Sequence, residues 1–118
     1  MIKDKWIETI SDKEEINKII SEKIKDRTLI FTDYYYFSID KKGISHEEVK
    51  EIFPHFDKVY AIEIERLKKG DLGYELFYHL TNNTSFSIAT CPINSKLLII
   101  HAVLYKRNLE KRIKRFKQ

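Results

Sequence analysis

The spacing of apolar residues changes near residue 58, and this change limits the possible folds more than any other feature of the sequence. Before it, apolar residues recur at helical spacing, as in the series Ile16, Ile20 and Ile24. After it, apolar and polar residues alternate, which is typical of strands with one buried face. The order of the two patterns predicts an α+β domain in which N-terminal helices pack on an antiparallel sheet.

Two capping-box patterns mark the starts of helices in the first half of the chain. Ser11 and Glu14 stand three positions apart before the isoleucine series, which predicts a helix over about residues 12–26. Ser45 and Glu48 repeat this spacing. In each pair, the hydroxyl and the carboxylate accept hydrogen bonds from backbone N–H groups that the first turn leaves unused.

Two helix breakers define the neighbouring segments. Pro54 ends the helix that begins after Ser45, because proline cannot continue the backbone hydrogen-bond ladder. Gly43 is suited to end a short helix over residues 32–42. The run 34–37 inside that segment consists of four aromatic residues, which fit a strand equally well.

Four strands are predicted between residues 58 and 105. Turn residues separate their alternating segments at 68–73, 82–83 and 92–95. The last strand, 97–105, is apolar at nearly every position, which is typical of a strand inside a sheet. Because consecutive strands are usually neighbours, we expect a four-stranded antiparallel meander.

The chain ends in a strongly basic segment. Residues 106–118 contain one acid and seven cations. The pattern predicts a basic C-terminal helix over about 108–116, with Leu109, Ile113 and Phe116 on the stripe that docks on the sheet. This charge asymmetry favours a polyanionic partner, and a solvated terminal helix is the alternative explanation. The seven cations are Lys106, Arg107, Lys111, Arg112, Lys114, Arg115 and Lys117.

Length and composition predict one intracellular domain. The chain has 118 residues, close to the commonest domain size, so a single domain over 1–118 is expected. The lone Cys91 cannot form an internal disulfide, which favours a reducing compartment. No apolar run approaches the ~20 residues that a membrane span needs. We therefore expect a cytoplasmic location and no membrane partner.

The motifs predict neither a cofactor nor a metal ion. The three glycines, Gly43, Gly70 and Gly73, form no pattern that cradles a phosphate. Glu63 and Glu65 share a strand face, but no Asp or His residues accompany them at ligand spacing. We interpret this pair as exposed carboxylates of a strand.

One stretch of the chain resembles a known family. The segments 31–35 and 41–53, the latter with the core Gly-Ile-Ser-His-Glu-Glu-Val, are similar to the helical half of BrnT-like toxins in the RelE-like ribonuclease superfamily. The layout of residues 96–116, a buried strand before a Lys/Arg-rich helix, is similar as well. The resemblance covers about residues 29–116. It implies a RelE/BrnT-like fold, metal-independent cleavage of RNA, and neutralisation by a cognate antitoxin protein of a type II toxin-antitoxin system.

The chain departs from this family pattern where the family often carries a histidine and an arginine. Tyr34 and Ser38 occupy the two corresponding positions. Lys42 stands where an arginine often precedes the glycine. No role that depends on that histidine or arginine is carried over to this chain.

Metal-independent cleavage of RNA needs a base, an acid and cations that stabilise the crowded phosphate. His79 lies in an alternating strand, and His101 lies in an apolar run where burial can tune its pKa. Tyr105 and Arg107 stand at the junction of the last strand and the basic helix. The planar guanidinium group of arginine can donate two parallel hydrogen bonds to a phosphate. These four residues are the candidate catalytic residues. The expected RNA-binding residues are Lys106, Lys111, Arg112, Lys114 and Arg115.

Each of these candidates has a simpler explanation. A histidine in a strand is more often hydrogen-bonded or exposed than catalytic. His46 and His55 flank the second capped helix, and capping and solvent contact explain both. The aromatic run 34–37 can stack RNA bases or pack in the core.

Three classes of function therefore remain. The first is a ribonuclease toxin, which needs an acid, a base and cations in one cleft. The second is a non-catalytic RNA-binding domain, which needs a basic and aromatic face. The third is a degenerate relative that has kept only its protein-interaction surface, which needs an exposed apolar patch and no cleft. Its partner is the cognate antitoxin, and a homodimer of this chain is the alternative.

Overall fold

Residues 7–67 and 69–106 are described by a computed structural model, and their strands form one mixed sheet. The strands are β1 (Ile7–Ile10), β2 (Thr28–Phe31), β3 (Val59–Arg66), β4 (Leu72–Thr81), β5 (Thr84–Ile93) and β6 (Lys96–Tyr105). They lie in the order β1-β3-β4-β5-β6-β2. The short β2 runs parallel to β6, and every other neighbouring pair is antiparallel.

The helices of the described part lie between β1 and β3 in the chain. They are α1 (Lys13–Ile19), which continues as a π-helical segment (Ile20–Ile24), α2 (Asp33–Lys42) and α3 (His46–Ile52), followed by a 3-10 turn (Phe56–Lys58). None of the helices in the described ranges is long and apolar enough to cross a membrane.

Side-chain caps explain where the helices begin. The Ser45 hydroxyl accepts a hydrogen bond from the Glu48 N–H group at 3.0 Å, which confirms the predicted start of α3. The Thr32 hydroxyl accepts a hydrogen bond from the Tyr35 N–H group at the start of α2. Gly43 ends this helix with a φ of +72°. The helical interpretation of residues 32–42 is therefore confirmed. The cap of α1 is Asp12, one residue later than the predicted Ser11.

The predicted four-stranded antiparallel sheet with N-terminal helices is wrong. The predicted meander is present as β3-β4-β5-β6, but β1 adds to one edge and the parallel β2 to the other. The described chain also begins with a strand, so the first helix follows a strand. Both added strands have four residues, too few for an alternating pattern to be recognised beside helical segments.

One face of the sheet packs on the helices. Its strand residues, such as Ile62, Leu76 and Ile88, are fully buried and belong to the same apolar cluster as Ile20 and Val49 of the helical segments. The Tyr78 hydroxyl on this face donates a hydrogen bond to the backbone carbonyl of Phe53, 2.8 Å away. The main core therefore lies between this face and the helices.

The other face of the sheet carries three glutamates, and we call it the acidic face. Its residues alternate with those of the core; they are Ala61, Glu63, Glu65, Glu75, Phe77, His79, Ser85, Ser87, Ala89, His101, Val103 and Tyr105. Ala61, Phe77 and Ser87 have no exposed surface. The interpretation of Glu63 and Glu65 as exposed carboxylates is wrong, because both are half-buried.

The predicted basic helix over 108–116 lies outside the described residues. The same is true of Arg107 and of four predicted RNA-binding residues, Lys111, Arg112, Lys114 and Arg115. Their predicted roles stay predictions.

We predict that Ser45→Ala lowers the free energy of unfolding by about 1 kcal/mol, because it removes the hydrogen-bond acceptor at the start of α3. Urea denaturation of the two proteins measures the difference. The matched control is Ser21→Ala, since Ser21 is exposed and lies inside a helical segment. Equal stabilities of wild type and Ser45→Ala would contradict the capping role.

Candidate functional site

Four strand ends meet at one end of the sheet. The antiparallel pairing places the end of β1, the start of β3 and the end of β4 side by side, and β6 ends in the same direction as β4. Lys13 follows β1, Lys58 precedes β3, His79 lies near the end of β4, and Tyr105 ends β6. This end of the sheet therefore gathers titratable side chains from distant parts of the sequence.

A β-bulge turns Tyr60 toward this end. Val59 pairs with Tyr78 and Ala61 with Phe77, so Tyr60 is an extra residue in β3. Such bulges redirect side chains and are common beside functional sites. The Tyr60 hydroxyl lies 3.2 Å from the Ser85 hydroxyl, and either can donate the hydrogen bond. The Tyr60 ring stands edge-on to the His79 ring, with 6.1 Å between their centroids.

A polar pocket of about 450 Å³ opens at the same place. Exposed lysines and the exposed His79 stand beside the half-buried Tyr60 at its wall. The lining residues are Ser11, Lys13, Ile16, Asp57, Lys58, Val59, Tyr60, His79 and Leu80. The volume falls within the range typical of ligand sites.

The residues of this pocket suit acid–base chemistry on an anion. Histidine is the side chain most often used for proton transfer in enzymes. Lys13 and Lys58 supply two positive charges that attract a phosphate, and the Tyr60 hydroxyl is a second group that can donate a proton. The pocket therefore brings together an imidazole, a phenol hydroxyl and two ammonium groups, with the carboxylate of Asp57 beside them.

The structure brings some predicted site residues together and separates another. His79 and Tyr105 both pair with Ser85 of β5, so they lie in one row across the sheet, about 10 Å apart at two strand spacings. Lys106 directly follows Tyr105. His101 lies four residues earlier in β6, about 13 Å along the strand from that row. His79 and His101 therefore do not converge on one reacting group.

His101 is half-buried in a separate part of the sheet. Its Nδ1 atom is buried and has no hydrogen-bond partner among the described residues. Burial lowers the pKa of His101, and the nearby ammonium of Lys42 lowers it further, whereas the carboxylate of Glu65 acts in the opposite direction. Lys42 is held close by donating a hydrogen bond to the carbonyl of Ala102 at 3.2 Å. The neutral form of the imidazole is therefore favoured.

Sequence reasoning missed several of the pocket residues. In the sequence, Lys13 and Lys58 resemble ordinary surface lysines. No sequence pattern predicts the bulge that redirects Tyr60. The one sequence feature that these residues share is their position, because each stands at the end of a predicted helix or strand. Only the sheet topology shows that these ends meet.

The interpretation of His46 as a capping or solvent-exposed residue is wrong. Its Nδ1 atom lies 2.8 Å from the hydroxyl of Tyr35, and its ring packs edge-on against Phe31 with centroids 4.6 Å apart. Tyr35 is fully buried, and this burial, with a smaller effect of Tyr36, raises its pKa to about 12. The contact between Tyr35 and His46 therefore joins α2 to α3.

A second cavity, of about 290 Å³, lies between β2 and α3. Its lining is apolar except for Lys50; the residues are Leu29, Phe31, Val49, Lys50, Phe53, Pro54 and Ile99. With a single titratable side chain at its wall, this cavity lacks the groups that acid–base chemistry needs.

No family model, curated protein or solved structure matches this chain. The similarity of the segment 41–53 to BrnT-like toxins stays a resemblance carried by those residues. Within that segment, Ser45 and Gly43 have local structural roles as a helix cap and a helix end. The case for a functional site therefore depends on the geometry of the pocket.

We predict that acidification destabilises the wild-type protein through His101. Because the folded state lowers the pKa of this imidazole, the unfolded chain binds more protons below the ordinary value of about 6.5, and stability falls as the pH drops through that value. Urea unfolding between pH 7.5 and 5 should show a shallower fall for His101→Gln. The control is the exposed His55→Gln. Parallel profiles for wild type and His101→Gln would contradict the prediction.

Proposed function

We propose that this domain is a metal-independent endoribonuclease whose active site is the polar pocket around His79. The observation that carries the proposal is the meeting of His79, Tyr60, Lys13 and Lys58 at one pocket. These residues supply the base, the acid and the cations that cleavage of RNA requires. As the resemblance to BrnT-like toxins implies, the substrate is cytoplasmic RNA, and a cognate antitoxin protein is the natural inhibitor.

The chemistry assigns one task to each group. His79 takes the proton from a ribose 2'-hydroxyl, whose oxygen then attacks the adjacent phosphorus. Lys13 and Lys58 stabilise the additional negative charge on the phosphate oxygens. The Tyr60 hydroxyl donates its proton to the departing 5'-oxygen. The products are a 2',3'-cyclic phosphate and a 5'-hydroxyl end.

Two further residues extend the site along the sheet end. Tyr105 shares the row of His79, and Lys106 follows it as an exposed cation. An RNA strand that crosses from the pocket to Lys106 would meet positive charge at both ends of this path, and such contacts make binding salt-dependent. Tyr105 offers a ring on which a base can stack.

Exposed aromatic residues on α2 favour a second candidate, a protein-interaction domain. The side chains of Tyr34 and Phe37 are 59% and 61% exposed, and their ring centroids lie 6.4 Å apart. The Lys41 ammonium lies over the Phe37 ring, 5.5 Å from its centroid. Exposed apolar patches of this kind mark binding surfaces. This candidate assigns the exposed face of α2 to a partner protein.

We predict that His79→Gln slows single-turnover cleavage of a single-stranded RNA of mixed sequence by roughly a hundredfold, as the loss of a general base typically does. Replacement of Lys13 or Lys58 by alanine should also slow cleavage. Folding should be unaffected, because these side chains are exposed. Cleavage should persist in EDTA and leave cyclic phosphate ends, since the proposed chemistry uses side chains alone.

The matched controls are His55→Gln and Lys18→Ala, which remove exposed groups outside the pocket. Both should cleave at the wild-type rate. Wild-type protein that binds RNA but never cuts it, with or without ribosomes, would refute the enzyme and favour the RNA-binding alternative. Loss of activity in His101→Gln with full activity in His79→Gln would place the chemistry outside the pocket.

A further inference from the structure

The cavity between β2 and α3 is larger than the voids that protein interiors usually leave. Its volume is about 290 Å³, whereas most interior voids hold no more than a water molecule, which occupies roughly 30 Å³ in the liquid. Each atom at the wall of an empty void lacks a contact partner on one side. A molecule that fills the cavity therefore makes contacts that the protein alone leaves unmade.

The wall of this cavity is made of hydrocarbon side chains. Val49 and Ile99 are its most buried members, each with 1% of its surface exposed. Leu29, Phe31 and Phe53 line it as half-buried side chains. Water occupies a cavity only where about two to four polar groups can bond to it, and these five side chains offer none. The molecule that suits this interior is therefore apolar.

The rim of the cavity carries a positive charge. Pro54 and Lys50 are the exposed residues of the described lining. A lysine in this setting packs its methylene stem on the apolar wall and keeps its ammonium group in water. The Lys50 ammonium lies 3.9 Å from the Glu47 carboxylate, and the two side chains are 52% and 83% exposed. Because so exposed a pair contributes little to stability, Lys50 can turn toward the anionic group of a ligand.

The volume sets the length of the apolar part of the ligand. A dry cavity of roughly 150 Å³ lined by Leu, Ile and Phe side chains binds benzene. The cavity beside α3 has about 290 Å³, so on the same scale it accommodates roughly eight to twelve carbon atoms. A charged head group stays at the rim beside Lys50, because its transfer into the apolar interior would cost its hydration.

We propose that this cavity binds a free, straight-chain fatty acid of roughly eight to twelve carbons, with its chain on Val49 and Ile99 and its carboxylate beside the Lys50 ammonium. The inference goes beyond the proposed function. Among the described residues, the cavity shares no lining residue with the polar pocket around His79. Fatty-acid binding is therefore tested independently of RNA cleavage.

Isothermal titration calorimetry of the full chain with sodium decanoate at neutral pH tests the proposal. We expect one saturable site per chain. Replacing decanoate by octanoate should weaken the affinity roughly tenfold or more, because each buried methylene group changes the dissociation constant by roughly fourfold. Decanol serves as an uncharged ligand with the same number of carbons.

A charge variant tests the role of the rim. Lys50→Met keeps an unbranched apolar stem and removes the ammonium group, so it should weaken decanoate binding about threefold or more and leave decanol binding unchanged. The matched control is Lys18→Met, which removes an exposed charge outside the lining of the cavity. The control should bind both ligands like the wild type.

Two filling variants and a spectroscopic measurement locate the site. Val49→Phe and, separately, Leu29→Phe add a ring to the cavity wall, and each should weaken decanoate binding at least tenfold. Circular dichroism identifies a variant that has unfolded. Methyl NMR of the wild-type protein gives the location without any variant: decanoate should shift the resonances of Val49, Leu29 and Ile99, and leave those of Ile62 in β3 in place.

Four results would overturn the proposal. The first is the absence of saturable decanoate binding to the wild-type protein. The second is binding without methyl shifts at Val49 and Ile99, or binding that both folded filling variants leave unchanged. The third is equal weakening of decanoate binding by Lys50→Met and Lys18→Met, which would indicate a general charge effect. The fourth is an apparent affinity that falls as protein concentration rises, which would make a second copy of the chain the occupant.

Discussion

The fold depends on the burial of β4 and β5 on both faces. Leu76 and Ile88 face the helices without exposed surface, while Phe77 and Ser87 are as fully buried on the opposite side. Water cannot satisfy polar groups in such strands, so each buried polar group needs a partner within the protein. The helices close the first of these faces, and β1 and β2 extend the sheet at its two edges.

Three polar side chains of β4 and β5 follow this constraint. Ser87 donates a hydrogen bond to the Glu75 carboxylate at 2.7 Å, and Thr90 donates one to the carbonyl of Tyr74 at 2.8 Å. Tyr78 reaches the carbonyl of Phe53, where the chain leaves α3. The last of these bonds joins the sheet to the helical layer. The first two bonds join β4 to β5 and support the register that pairs His79 with Ser85.

Local signals in the sequence predicted local structure. Ser45 and Gly43 act on neighbouring backbone groups, so their roles in capping α3 and ending α2 follow from spacing alone. The meander of β3 to β6 was predictable for the same reason, because its turns join strands that are neighbours in the chain. The parallel pairing of β2 with β6 joins residues 68 positions apart, as in Thr28 and Lys96, and no local pattern records it.

The candidate site was less predictable than the fold because it is made from element ends. His79 was identified as a candidate from its residue type, but its companions Lys13 and Lys58 are ordinary lysines until β1 and β3 are paired. The bulge at Tyr60 depends on the register of β3 against β4. For His46, the sequence led to a different error. Its position beside the Ser45 cap suggested contact with solvent, whereas its ring packs against the rings of Phe31, Tyr35 and Tyr36.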